Sequence, residues 1–225
     1  MNHYDTSLDN DTSQDQGVQH REGATAPSQA GTNADTLDEQ LQSRVRTRLN
    51  EVLNSPATDA EIKLVERQLT RYPRGMIAVG ARCRCGRPLA VVTRPLLQGS
   101  IPFPTTFYLT SPEAVKAVSS LEADGTMKQL SEQIEEDQEL KEAYEQAHLA
   151  YLAFRSQLAE LLGDDDGHIR GISAGGMPVR VKCLHALVGQ SLCMGSGVNP
   201  IGDMALNMVA AAGRFDRNLC RCSIL

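Results

Sequence analysis

The stretch Met76-Ile77-Ala78-Val79-Gly80-Ala81-Arg82-Cys83-Arg84-Cys85-Gly86-Arg87-Pro88-Leu89-Ala90-Val91-Val92-Thr93 decides the fold class. Met76–Ala81 and Leu89–Thr93 are short apolar runs with β-branched residues, too brief for helices and separated by a turn that holds Gly86 and Pro88. Thr105–Thr110 offers a third strand. Pro102 and Pro104 precede it and belong at a sheet edge, where a missing N–H breaks no ladder. The three runs predict a small antiparallel sheet.

Outward from this sheet the periodicity becomes helical. Upstream, Leu37, Leu41, Val45, Leu49 and Val52 recur on one face until Ser55-Pro56, behind a capping-box spacing at Thr36 and Glu39. A second box, Thr58 with Glu61, opens a helix bearing Ile62, Val65 and Leu69 that stops at Tyr72-Pro73-Arg74-Gly75. Downstream, Ser111-Pro112 starts a helix ending near Asp124-Gly125. A long helix follows over residues 137–162. Its Leu140, Tyr144, Ala147, Tyr151, Phe154, Leu158 and Leu161 step alternately by four and three. Such a seam needs a facing helix, supplied by the chain itself or by a second copy in a homodimer. Gly175-Gly176-Met177-Pro178 is expected to start a further helix reaching about Met194, and Asn199-Pro200 the last one. The fold class that follows is α+β, a small antiparallel sheet packed against several helices.

Charge divides the 225 residues unevenly. Of the formal −6, the first 35 residues carry Asp5, Asp9, Asp11, Asp15, Glu22 and Asp35 against Arg21 alone, and the rest holds 22 acids and 21 bases. Residues 1–34 are too polar to offset the entropy of ordering and are expected to be a disordered acidic tail. Residues 35–213 form one domain in this reading, and 214–225 a flexible C-terminus. No secretion signal precedes the domain, and no apolar run approaches the ~20 residues that span a bilayer. A cytoplasmic location without membrane insertion is expected. There the six cysteines stay reduced, which excludes a disulfide framework.

Three features carry candidate chemistry. Residues 71–94 contain six arginines and no acid, and Arg82, Arg84 and Arg87 fall on the strand connection. Guanidinium forks match phosphate oxygens two at a time. Gly175 and Gly176, at the expected helix start, precede Arg180 and Lys182, and helix starts attract anions. These seven residues form the expected anion site. The third feature is Cys83, Cys85, Cys183 and His185, four soft ligands, the number a structural zinc takes. Zinc is therefore a candidate cofactor, although the one-residue spacing fits poorly, and no metal is favoured. On a helix running through 178–194, Cys183 and His185 would face different sides, leaving His185 hydrogen-bonded under an apolar face.

The segments Arg82-Cys83-Arg84-Cys85-Gly86-Arg87-Pro88, Pro102-Phe103-Pro104-Thr105, Gly175-Gly176-Met177-Pro178, Arg180-Val181-Lys182-Cys183-Leu184-His185 and Val198-Asn199-Pro200-Ile201-Gly202-Asp203 occur in this order. Together they resemble the bacterial domain-of-unknown-function family 501 over about residues 60–210. The resemblance implies a cytoplasmic bacterial protein without an established activity. It also implies genes lying near those for a septum-formation initiator and an exopolyphosphatase, a link by association to envelope growth or phosphate metabolism. The first family cysteine matches Cys83, and the position of Cys85 is not always cysteine.

The leading expectation is a protein that binds an anionic, phosphate-bearing ligand: a small molecule, polyphosphate or RNA. Two alternatives stand beside it. One is an enzyme acting on a phosphorylated substrate, with His185 as acid/base or Cys183 as nucleophile. The other is an interaction protein linked to cell division.

Overall fold

Strand β2 (Pro88–Thr93) lies between β1 (Met76–Arg82) and β5 (Phe107–Leu109) in an antiparallel sheet, and all six of its residues are buried. Cover on both faces is why its sequence reads as an unbroken apolar run rather than an alternating one. Val91 pairs with Val79 on one side and with Tyr108 on the other. Between β2 and β5, β3 (Leu96–Leu97) and β4 (Ile101–Pro102) make a separate two-stranded ribbon that takes up Pro102. The computed structural model describes residues 36–97, 101–220 and 222. The expected tail, residues 1–34, lies outside them.

Among the described residues, seven α-helices surround the sheet. Helix α1 (Glu39–Asn54) is capped by Asp38, whose side chain accepts from the N–H groups of Gln40 and Leu41. Because Asp38 is the N-cap and the helix starts at Glu39, Thr36 lies two residues before the cap and the expected Thr36–Glu39 box is displaced. Gln146 donates to the Thr36 carbonyl (3.1 Å) and accepts from the Asp38 N–H (2.9 Å). Helix α2 (Asp59–Leu69) carries the expected box at Thr58 and Glu61. Ser111 caps α3 (Pro112–Ala123), with Pro112 in the first turn. Helix α4 (Thr126–Glu136) follows Gly125 and buries Leu130 and Ile134. Helix α5 (Gln138–Leu162) is capped by Asp137 and ends at Gly163, which has a left-handed φ of +67°.

The heptad seam is used within the chain. Tyr144, Ala147, Tyr151, Phe154 and Leu158 are all buried, with α1, α4 and α7 (Pro200–Ala211) packed against α5. Phe107 from the sheet meets Tyr151 edge-on, ring centroids 5.1 Å apart, and lies 4.9 Å from Phe154. Most of the face that the sequence offered to a second copy is therefore covered by the chain's own elements, with Leu140 partly buried and Leu161 59% exposed at its ends.

Helix α6 (Leu184–Met194) runs between the sheet and α7. Gly189 lies against the Phe107 carbonyl and Gly202 against the Leu187 carbonyl, so that α6 approaches both neighbours at backbone distance. A buried polar chain fixes this arrangement. Gln190 donates to the Ala147 carbonyl (2.8 Å), Asn199 donates to Gln190 Oε1 (2.8 Å), and Asn199 Oδ1 accepts from the Gly202 N–H (2.9 Å). Each of these polar groups enters the core with a partner.

The helix expected from Gly175 begins instead at Leu184, with Cys183 as its N-cap residue. Gly175 and Gly176 have φ of +74° and +96°, a conformation incompatible with a right-handed helix start. The Lys182 and Cys183 N–H groups donate to the Gly175 carbonyl, and the Arg180 N–H to that of Gly176, closing 175–183 into a loop. Beyond α7, Phe215 is 5% exposed and Arg214 donates to Ser120 Oγ (2.7 Å), which places the start of the segment 214–222. No helix among the described residues is long and apolar enough to cross a membrane.

Candidate functional site

The late start of α6 brings Cys183 and His185 to the same end of the helix, and α3 crosses that end. Glu122 of α3 accepts from the Leu184 N–H (2.7 Å), acting as a cap supplied from another helix, and from His185 Nδ1 (3.1 Å). His185 Nε2 faces Ser119 Oγ (3.1 Å) and the Val115 carbonyl (3.3 Å). The ring thus points one nitrogen at a carboxylate, and the other at a carbonyl that only accepts and a hydroxyl that can donate or accept. A ring that donates from both nitrogens is an imidazolium. The Cys183 sulfur and the Glu122 carboxylate, against the opposing effect of half-burial, raise His185 from its ordinary 6.5 to about 9. This shift favours the protonated ring at neutral pH.

This charge lines a cleft of about 620 Å³ over β5, together with Cys183, Arg71, Lys116, Tyr108 and Gln68. No carboxylate lines it among the described residues. Arg71 rests over the Tyr108 ring, 5.9 Å from its centroid, and donates to the Tyr108 hydroxyl. Neither Arg71 nor Lys116 has a carboxylate partner among the described residues. Two polar atoms of the wall, Gln68 Oε1 and Thr110 Oγ1, are buried without a hydrogen-bond partner there. An adjoining cleft of about 490 Å³ shares Arg71 and Tyr108 and adds Arg74 and Phe103, whose ring stacks on Tyr108 at 6.5 Å.

The seven residues of the expected anion site fall into two groups with different partners. Arg82 pairs with Glu61 and donates to the Gly86 carbonyl (3.2 Å), while Arg84 reaches the Asn218 carbonyl (3.4 Å). Arg87 belongs to the same turn. The loop holding Gly175, Gly176, Arg180 and Lys182 instead lies against Leu187, Ser131 and Tyr144. Arg180 and Lys182 are exposed. The two halves engage different parts of the chain.

The four soft ligands separate in the same way. Cys183 and His185 group with Glu122, their donor atoms within 4.8 Å of one another. Cys83 and Cys85 group with Cys220 and Cys222, again with all donor atoms within 4.8 Å. The first set offers three donors, one fewer than a closed structural zinc site takes. In the second, the Arg87 N–H and the Cys220 sulfur bring Cys85 down to about 7. Burial and the neighbouring sulfurs push Cys222 up, and burial also raises Cys83. Four sulfurs this close cannot all ionise without a cation among them.

Sequence reasoning missed Arg71, Lys116, Glu122, Cys220 and Cys222 as site residues. The last two carried a signal, since Cys220-Arg221-Cys222 repeats the spacing of Cys83-Arg84-Cys85.

The family described as "Protein of unknown function (DUF501)" matches residues 79–207, a span that holds β2, β5 and α3 through α6. No curated protein and no solved structure matches the chain.

Proposed function

The chain belongs to this family of unknown function, DUF501, and we propose that it binds a small phosphate-bearing molecule in the cleft between β5, α3 and the start of α6. One observation carries the reading: three cations, Arg71, Lys116 and protonated His185, line a cleft that no carboxylate lines among the described residues. The volume suits a small ligand, for which sites of ~300–1,000 Å³ are usual. The His185 and Ala186 N–H groups in the first turn of α6 add partial positive charge. Tyr108 and Phe103 offer ring faces for a base or another flat group. The reading sets the protein in the bacterial cytoplasm, where phosphate metabolites abound and thiols stay reduced.

Tripolyphosphate and a nucleoside triphosphate, titrated calorimetrically into the full chain, test this. Binding is expected to weaken with salt. A charge-assisted hydrogen bond contributes ~1.5 kcal/mol or more, so Arg71→Gln and Lys116→Gln are each expected to weaken binding about tenfold. Undiminished affinity in the double variant would sink the proposal.

The pH dependence has a definite sign. His185 carries its charge below about 9, so affinity is expected to fall as pH rises through that value. The same raised value makes protonated His185 stabilise the fold fully below ~6.5, a contribution lost as pH climbs toward about 9. An affinity flat from about pH 6 to 10 would remove His185 from the site.

A second reading rests on Cys183, whose sulfur lines the same cleft beside the imidazolium, an arrangement a thiol nucleophile uses. Turnover of a phosphorylated substrate that is abolished by Cys183→Ser would favour it.

A further inference from the structure

We propose that Cys83, Cys85, Cys220 and Cys222 bind one zinc ion as a closed tetrathiolate site that fastens residues 214–220 and Cys222 to the β1–β2 turn. The site is independent of the ligand cleft.

The argument starts from the turn. The Cys83 N–H donates to the Arg87 carbonyl and the Gly86 N–H to the Cys83 carbonyl, both at 2.8 Å, with Gly86 at a φ of +86°. This tight loop aims backbone N–H groups at its own sulfurs, that of residue 85 at Cys83 and that of residue 87 at Cys85. Backbone donors that face sulfur orient it, as outer-sphere groups do around bound metals.

The other two sulfurs arrive on a segment held by contacts of its own. Phe215 is buried, Arg214 reaches Ser120, and the Asn218 N–H bonds Asp216 Oδ1 at 2.7 Å. The Asn218 carbonyl accepts from Arg84 of the turn. The four sulfurs are thus brought together by groups that are not themselves cysteines.

Their spacing fits a metal better than a covalent bond. Cys85 and Cys222 sulfurs are 3.6 Å apart, far beyond the ~2.05 Å of a disulfide. Tetrahedral Zn–S bonds of ~2.3 Å put sulfurs about 3.8 Å apart. Four thiolates and no open position describe a structural zinc rather than a catalytic one. Zinc binding would displace the four thiol protons and leave a centre of net charge −2. Arg82, Arg84 and Arg87 flank it in an acid-free stretch, which gives that stretch an electrostatic role apart from any phosphate ligand.

The test is metal analysis of the full chain purified under reducing conditions. About one zinc per chain is expected, together with thiolate-to-cobalt charge transfer and tetrahedral d–d bands after replacement by Co²⁺. Cys220→Ser with Cys222→Ser, neither of them fully buried and so compatible with folding, is expected to lose the zinc and the cobalt spectrum. Cys183→Ser is expected to keep both. Metal-free protein with reduced thiols and no cobalt spectrum would overturn the proposal. So would disulfides among these four cysteines, iron in place of zinc, or zinc that follows Cys183.

Discussion

An Arg155→Met chain is expected to melt about 6–12 °C below the parent, a loss near 3 kcal/mol at 2–4 °C per kcal/mol for a domain of this size. Arg155, on α5, is 1% exposed and has no direct salt bridge among the described residues. Its guanidinium donates to the carbonyls of Ile169 (2.6 Å) and Ile172 and lies 5.9 Å from the Tyr151 ring centroid. Asp166, 7% exposed, is near enough to act on its charge. Methionine fills much of the same volume, so a cavity is not the issue. The cost is two carbonyls left without donors, at about 2 kcal/mol each. Relief from burying a cation offsets part of this, because burial already lowers the arginine's pKa. The carbonyls win, since the methionine thioether has no N–H to offer them. These residues lead into the 175–183 loop, so the variant is expected to loosen the approach to α6 as well. Thermal unfolding followed by circular dichroism checks this, and an unchanged midpoint would show that the loop holds itself.

Gly202→Ala is expected to cost a similar ~3 kcal/mol through a different mechanism. A Cβ at 202 would stand 2.3 Å from the Leu187 carbonyl oxygen and 2.4 Å from Ser191 Oγ. In an isolated helix the change from glycine to alanine gains ~1 kcal/mol. Here a backbone carbonyl cannot rotate away, so α7 must move off α6, and overpacking of this kind costs ~1–3 kcal/mol or more. The displacement would also strain the Gln190–Asn199 chain. Urea unfolding would measure it, and a Gly202→Ala chain as stable as the parent would mean that the two helices are not in backbone contact.

Elements whose signals are local are legible in the sequence. The strands of the sheet, the Thr58–Glu61 box, the Ser111 and Asn199 caps and the long helix over 137–162 are each written within a few residues. Helix α4 is not, because only Leu130 and Ile134 mark its buried face in an otherwise polar stretch. The start of α6 departs from the sequence expectation for a definite reason. Gly-Gly-Met-Pro has the composition of a helix entry, but two successive left-handed glycines turn the chain back on itself.

The candidate site shows the same limit. Cys183 and His185 stand out by residue type, yet Glu122 lies 63 positions from His185 and carries no mark that points to it. Arg82, Arg84 and Arg87 have the character of anion ligands, but a charge does not announce its partner. Only the fold sets Glu61 beside Arg82 and so removes that arginine from the cleft. Cys220 and Cys222 are the opposite case, a visible repeat of the first cysteine pair hidden by its place in a polar chain end.

The four-cysteine cluster also orders events in time. Cys85 and Cys222 are 137 positions apart, and at ~5–20 residues per second the ribosome needs about 7–27 s to travel from one to the other. Through most of that interval the β1–β2 turn has been synthesised, while two of its sulfurs wait for partners not yet made. The cluster can close only on a polypeptide translated through residue 222. Its closure would therefore mark polypeptides translated past that residue.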